Sequence, residues 1–176
     1  MNRRHFIKNV IAAVGAMALT PVIFNHFKSK NEIWRTALII GVRNGNDRIY
    51  PVDVFEKALA EYRTKIEKTI AIGIYDTSYK GYFPEADQEK ASHLITDARI
   101  VNGNEVQFRI RPFETPNGKS LSRDLDIDGA VEFRCSGNGS LCRNSDGIYV
   151  VQSDYTLISV DAYPARAGLT SLRFIA

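Results

Sequence analysis

Histidine is scarce in this chain: three in 176 residues, with His5 and His26 in the first 30 and only His93 in the body. Imidazole is the side chain that titrates unaided near neutral pH, so acid–base chemistry in the body is confined to one candidate. Cysteine is scarcer still. Cys135 and Cys142 alone do not make a thiolate cage for zinc, and no histidine lies near them in sequence. Their spacing across Ser-Gly-Asn-Gly-Ser-Leu suits a disulfide over a tight turn in an oxidising compartment, or two free thiols in a reducing one. No repeat and no low-complexity stretch is present. A basic stripe is also missing, which argues against nucleic-acid binding as the main work of the body.

The charge that does exist is unevenly placed. Residues 1–30 hold Arg3, Arg4, Lys8, Lys28 and Lys30 and no acid, giving +5. Residues 31–176 have 18 basic and 20 acidic side chains, giving −2, so the formal +3 belongs to the tail. In that tail an apolar run from Val10 to Phe24, interrupted by Thr20 and Pro21, falls short of the about 20 residues that span a bilayer. It has the length of a signal-peptide core. Arg3-Arg4-His5-Phe6-Ile7-Lys8 resembles a twin-arginine export signal, although no Ala-x-Ala cleavage site follows and Ala16-Met17-Ala18 is the nearest. The segment reads as a targeting device or as an apolar helix that docks on a membrane or partner surface. Residues 1–30 are thus expected to stand apart, residues 31–35 to link, and residues 36–176 to fold as one domain, a size that allows a real core.

Along that domain, Thr36–Val42 is a strand-length apolar run ended by Asn44-Gly45-Asn46-Asp47. Pro51 stands where a helix starts, and Val52, Phe55, Leu59, Tyr62 and Ile66 follow at spacings of three and four, predicting a helix with one buried face. Asn102-Gly103 is a two-residue hairpin signal between Ala98–Val101 and a stretch in which Val106, Phe108 and Ile110 alternate with Gln107, Arg109 and Arg111. Leu121 and Leu125, ending at Gly129, predict a second helix. Val131–Phe133, Ile148–Val151 and Tyr155–Val160 predict further strands. About six strands and two helices make an α+β, β-dominated fold.

Candidate chemistry is sparse. Ser136 and Cys135 are possible nucleophiles, each needing a base within hydrogen-bond reach. His93, in Ala91-Ser92-His93-Leu94-Ile95 just before a predicted strand, is more often a structural hydrogen-bonding residue than a catalyst in such a setting. The run Ser136-Gly137-Asn138-Gly139-Ser140 does not open a helix and so is a poor phosphate loop. It either supplies backbone N–H groups to an oxyanion hole or forms a plain turn.

Several of these segments, in order, resemble the prohead (capsid-maturation) proteases of tailed phages, relatives of the herpesvirus assemblins. Asp47-Arg48-Ile49-Tyr50-Pro51 before an amphipathic helix looks like that family's Gly-Arg-Ile-Tyr-Pro. Ser92-His93-Leu94-Ile95-Thr96-Asp97 and Gly103-Asn104-Glu105-Val106 resemble its central hairpin, and Thr115-Pro116-Asn117-Gly118-Lys119 the start of its next helix. Cys135-Ser136-Gly137-Asn138-Gly139-Ser140 lies where the family has Ser-Ser-Arg-Gly-x-Gly-Ser. Val150–Leu157 and Asp161 match its closing strands. The resemblance covers roughly residues 36–165 and implies a sheet or barrel with two main helices.

The departures are as informative. The family's catalytic histidine lies in Gly-Glu-Leu-x-His-Pro after the first helix, where this chain has Ile72-Gly73-Ile74-Tyr75-Asp76-Thr77-Ser78. Aligning the glycines puts Arg134 and Cys135 in the two serine positions and Ser136 in the arginine position. The resemblance therefore implies a phage head protein that has lost peptidase activity and binds capsid or scaffold proteins, without cofactor, metal or nucleic acid, in the virion or host cytoplasm, with homo-oligomers open. One alternative is a working peptidase using Cys135 or Ser136 with His93 as base and Asp161 as a weaker candidate orienting acid. Another is a binding protein exported to the periplasm, which a cleaved tail and a Cys135–Cys142 disulfide would favour.

Overall fold

A computed structural model describes residues 32–75 and 90–165. The N-terminal basic and apolar segment lies outside the described residues, as do Asp76, Thr77 and Ser78.

Among the described residues, nine strands and two helices follow in the order β1 (Ile33–Ile39), β2 (Arg48–Ile49), α1 (Val52–Glu67), β3 (Ile72–Ile74), β4 (Ala91–Val101), β5 (Glu105–Pro112), α2 (Pro116–Leu125), β6 (Val131–Asn138), β7 (Leu141–Arg143), β8 (Tyr149–Val151) and β9 (Thr156–Pro164). The fold is β-dominated with two helices. Strands β1-β5-β4-β3 form an antiparallel sheet, β2-β8-β7 a small mixed sheet, and β6-β9 an antiparallel ribbon. The ribbon lies against both ends of the large sheet, β6 beside β1 and β9 beside β3. A single parallel bridge, Tyr75 to Ala162, joins them, and the described strands do not close into a barrel.

The β4–β5 hairpin follows its sequence pattern. Asn102 and Gly103 both take left-handed φ, 53° and 78°, and the Asn104 N–H closes the turn on the Val101 carbonyl. Those angles suit Asn-Gly because little or no Cβ clash opposes them. Val106, Phe108 and Ile110 are fully buried, and the residues between them face outward. Helix α1 begins directly after Pro51 and carries Asp53 in its first turn and Lys65 in its last, complementing the helix dipole. It packs against β4 and β9. Its buried stripe is Val54, Phe55, Ala58, Leu59 and Tyr62. Val52, expected inside, is 38% exposed, because it is the first helical residue and lies to one side of the face on which Val54, Phe55, Ala58, Leu59 and Tyr62 are centred. In α2 the Thr115 hydroxyl accepts the Gly118 N–H at 3.1 Å, a side-chain N-cap with Pro116 at the first turn. Leu121 anchors it in the core.

Other boundaries differ from the sequence reading. Strand β1 starts at Ile33, so Ile33, Trp34 and Arg35 pair with β5 where a linker was expected. Strand β4 starts at Ala91 and takes in His93, which the pattern placed ahead of the strand. Strand β9 runs on to Pro164 and takes in Asp161. The two- and three-residue strands β2, β3 and β7 are too short to display an alternation. One more recurrence, absent from any sequence period, appears in the turns. Asn44 Oδ1 accepts the N–H groups of Asn46 and Arg48, and Asn144 Oδ1 accepts those of Asp146 and Ile148, so two matching turns sit at the ends of β2 and β8.

Candidate functional site

The two nucleophile candidates and their surroundings lie on the β6–β9 ribbon. Cys135 pairs with Val160 and Ser136 with Ser159, followed by an irregularity between Ser136 and Gly137. Successive strand residues face opposite sides, so neighbours Cys135 and Ser136 have different environments. Cys135 packs against the main core beside Phe133. The residue keeps some exposed surface, but the packing around the thiol governs its ionisation: burial, then the Asp161 charge, pushes its pKa far up. Such a thiol stays protonated at neutral pH and is a poor nucleophile. Cys142 is an exposed free thiol on β7, and no disulfide joins it to Cys135.

Ser136 faces Asp161. Its Oγ donates to Asp161 Oδ2 at 3.1 Å, and Ser159 Oγ donates to the same oxygen at 2.7 Å. The Ile74 N–H donates to Oδ1 at 3.1 Å. Asp161 is 1% exposed, so these donors satisfy a carboxylate that burial would otherwise penalise heavily. The Tyr62 hydroxyl, on α1, is buried with no hydrogen-bond partner; burial first, then Cys135 and Asp161, raise its pKa.

His93 is not brought to either nucleophile. It has no exposed surface; Nδ1 lies 2.8 Å from Ser92 Oγ and Nε2 3.0 Å from the Val160 carbonyl oxygen. A carbonyl only accepts, so Nε2 carries the proton and Nδ1 accepts from Ser92. Burial pulls the ring pKa down to about 4, which the Val160 hydrogen bond partly opposes, so the imidazole is neutral at pH 7. Its seat depends on Gly73, where a Cβ would fall 2.2 Å from the Val160 oxygen and 2.3 Å from Nε2.

The glycine run is strand rather than turn as far as Asn138. Its glycines make room for Tyr155: a Cβ on Gly137 would lie 2.5 Å from both the Tyr155 hydroxyl and the Thr156 oxygen, and one on Gly139 2.8 Å from Tyr155 Cα. The Ser140 N–H is taken by the Asp154 carboxylate at 2.9 and 3.1 Å. Close packing against Tyr155 and Thr156 gives both glycines a structural reason. Ser159 and Tyr62 were missed in the sequence. The legible signal was Ser159 and Asp161 at alternate positions of an otherwise apolar strand, which marks polar groups turned inward. Among the described residues no three His, Cys, Asp or Glu side chains gather to hold a metal, and no helix is long and apolar enough to cross a membrane.

A β-dominated domain whose large sheet is flanked by two helices and by this ribbon has a phage prohead-protease-like fold. The solved structure that carries this comparison is that of the bacteriophage T4 capsid assembly protease, gp21. It is similar to this chain with a TM-score of 0.67 and 26% identity, over 75% of this chain and 80% of the T4 chain. No protein-family model matches the chain, and no curated protein matches it.

Proposed function

We propose that this chain is a phage head protein with the prohead-protease fold that no longer cleaves peptide bonds and acts in capsid assembly or structure by binding capsid or scaffold proteins. The observation that carries this reading is His93. Hydrolysis through Ser136 or Cys135 needs a base within about 3.2 Å of the nucleophile. The body has a single imidazole, and both its nitrogens are engaged elsewhere, with Ser92 and Val160. The Ser136 hydroxyl has a carboxylate partner instead, and a carboxylate alone is a weak base for a serine hydroxyl. The likeness to a capsid assembly protease favours a setting in the virion or host cytoplasm. On this reading residues 1–30 are a docking segment, and the domain takes in Ile33–Arg35 as the start of β1.

The test incubates the purified full chain with phage scaffold and capsid proteins, following cleavage on gels and binding by co-sedimentation. Binding without cleavage is expected. Cleavage abolished by Ser136→Ala or Cys135→Ala, and also by His93→Ala, would overturn the reading and restore the active peptidase. Neither binding nor cleavage, together with export and removal of the tail, would favour the periplasmic binding protein.

A further inference from the structure

The β6–β9 ribbon meets the large sheet through apolar side chains, Phe133, Leu157, Val160 and Ala162, that share its core, and through two polar contacts flanking one peptide unit of β9. His93 of β4 reaches the Val160 carbonyl, and Asp161 receives the Ile74 N–H at the end of β3. Among the described residues, backbone pairing between ribbon and sheet contributes only the bridge between Tyr75 and Ala162. The ring also meets Phe133 of β6 edge-on, with centroids 5.6 Å apart, and fills the space Gly73 leaves open. One buried imidazole thus touches β3, β6 and β9 at once. From this geometry we propose that His93 is an acid-released latch, which holds the ribbon carrying Cys135 and Ser136 against the sheet while the ring is neutral and lets it part when the ring gains a proton.

The chemistry around the ring leaves an added proton without compensation. On protonation Ser92 can turn its O–H to the Gly73 carbonyl, 3.3 Å away, and accept from Nδ1. Hydrogen bonds therefore survive, and the cost is a bare charge in a dry site. The packed strands bring three charged or titratable side chains to nearby positions. Asp161 of β9 is turned to Ile74, Ser136 and Ser159. Arg134 of β6 is turned to Glu132 and the Tyr163 ring, and Cys135 of β6 is a protonated thiol. Among the described residues the imidazole's hydrogen-bond partners are Ser92 and the Val160 carbonyl, and neither is a carboxylate. The sign follows: the closed form holds the ring pKa near 4, whereas a solvated ring sits near 6.5. The closed form then binds fewer protons, so lowering the pH from about 6.5 to about 4 weakens closure by roughly 80-fold, and the loss approaches roughly 300-fold only below about pH 3.

Amide hydrogen exchange on the full chain, followed by NMR between pH 7 and 4 and corrected for intrinsic rates, tests the latch. Protection of β6 and β9 amides is expected to fall by up to roughly 100-fold across that window while the β5 amides of Val106, Phe108 and Ile110 hold. The variant His93→Gln, whose amide still donates to Val160 but does not titrate, is expected to flatten the fall. Should that variant not fold, the wild-type ring decides through its own nitrogen-15 titration, expected near pH 4 with the proton on Nε2. Equal loss of protection in ribbon and hairpin, a flat wild-type profile, or a ring that titrates near 6.5 would each overturn the proposal.

Discussion

The β4–β5 hairpin and the β6–β9 ribbon are built from the same antiparallel pairing, yet they reach stability by different routes. The hairpin joins strands three residues apart in sequence and puts Val106, Phe108 and Ile110 into the core. The ribbon joins strands separated by the whole of β7 and β8 and turns Ser136, Ser159 and Asp161 toward one another. A local, apolar pairing is written in the alternation of its residues. A distant, polar one is written in which hydroxyl faces which carboxylate, and only the folded chain reveals that.

Substitutions sharpen the contrast. Removing the Phe108 ring, fully buried and edge-on to Tyr62, is expected to cost about 3–5 kcal/mol in urea unfolding; a cost below about 1 would mean the hairpin face is not the core. In the ribbon, Asp161→Ala leaves the donors from Ile74, Ser136 and Ser159 without their acceptor and is expected to cost about 2–4 kcal/mol, against a smaller loss for Asp161→Asn, which keeps one acceptor oxygen. Equal effects of the two changes would sink the idea that these donors hold the ribbon. Gly137→Ala pushes a Cβ against backbone and the Tyr155 ring, and a loss of about 2 kcal/mol is expected from thermal melting. At the hairpin tip Gly103→Ala meets open space, so only its left-handed φ opposes the change, and about 1 kcal/mol is expected. A larger loss at Gly103 than at Gly137 would reverse the argument that crowding, and not conformation, fixes the ribbon's glycines.

The same contrast explains what the sequence disclosed. Both helices, the Asn-Gly turn and the alternating strand at 106–110 were legible because each is dictated by residues within one or two turns of one another. The inward polar pair of β9 was only half legible: Asp161 and Ser159 stand at alternate positions of one strand, but Ser136 becomes their partner only through the β6–β9 register, across 25 residues. His93 was recognisable as a hydrogen-bonding residue, and its burial follows from Gly73, a neighbour only after β3 and β4 pair. The Cys135–Ser140 glycines resembled a catalytic loop, since a sequence records that space is needed and does not record what fills it.

Strand β9 has a further consequence, for the order in which the protein becomes complete on the ribosome. Its carbonyls receive Lys65 from α1 and the ring of His93, and its carboxylate receives Ile74 and Ser136, all from residues translated earlier. A nascent chain that has emerged only through β8 can already close its Asn-Gly hairpin, yet every one of those earlier groups still waits for its acceptor. Synthesis therefore delivers the clasp after the parts it fastens, and a ribosome stalled before Leu157 would hold a chain with α1, β3, β4 and β6 made but unfastened.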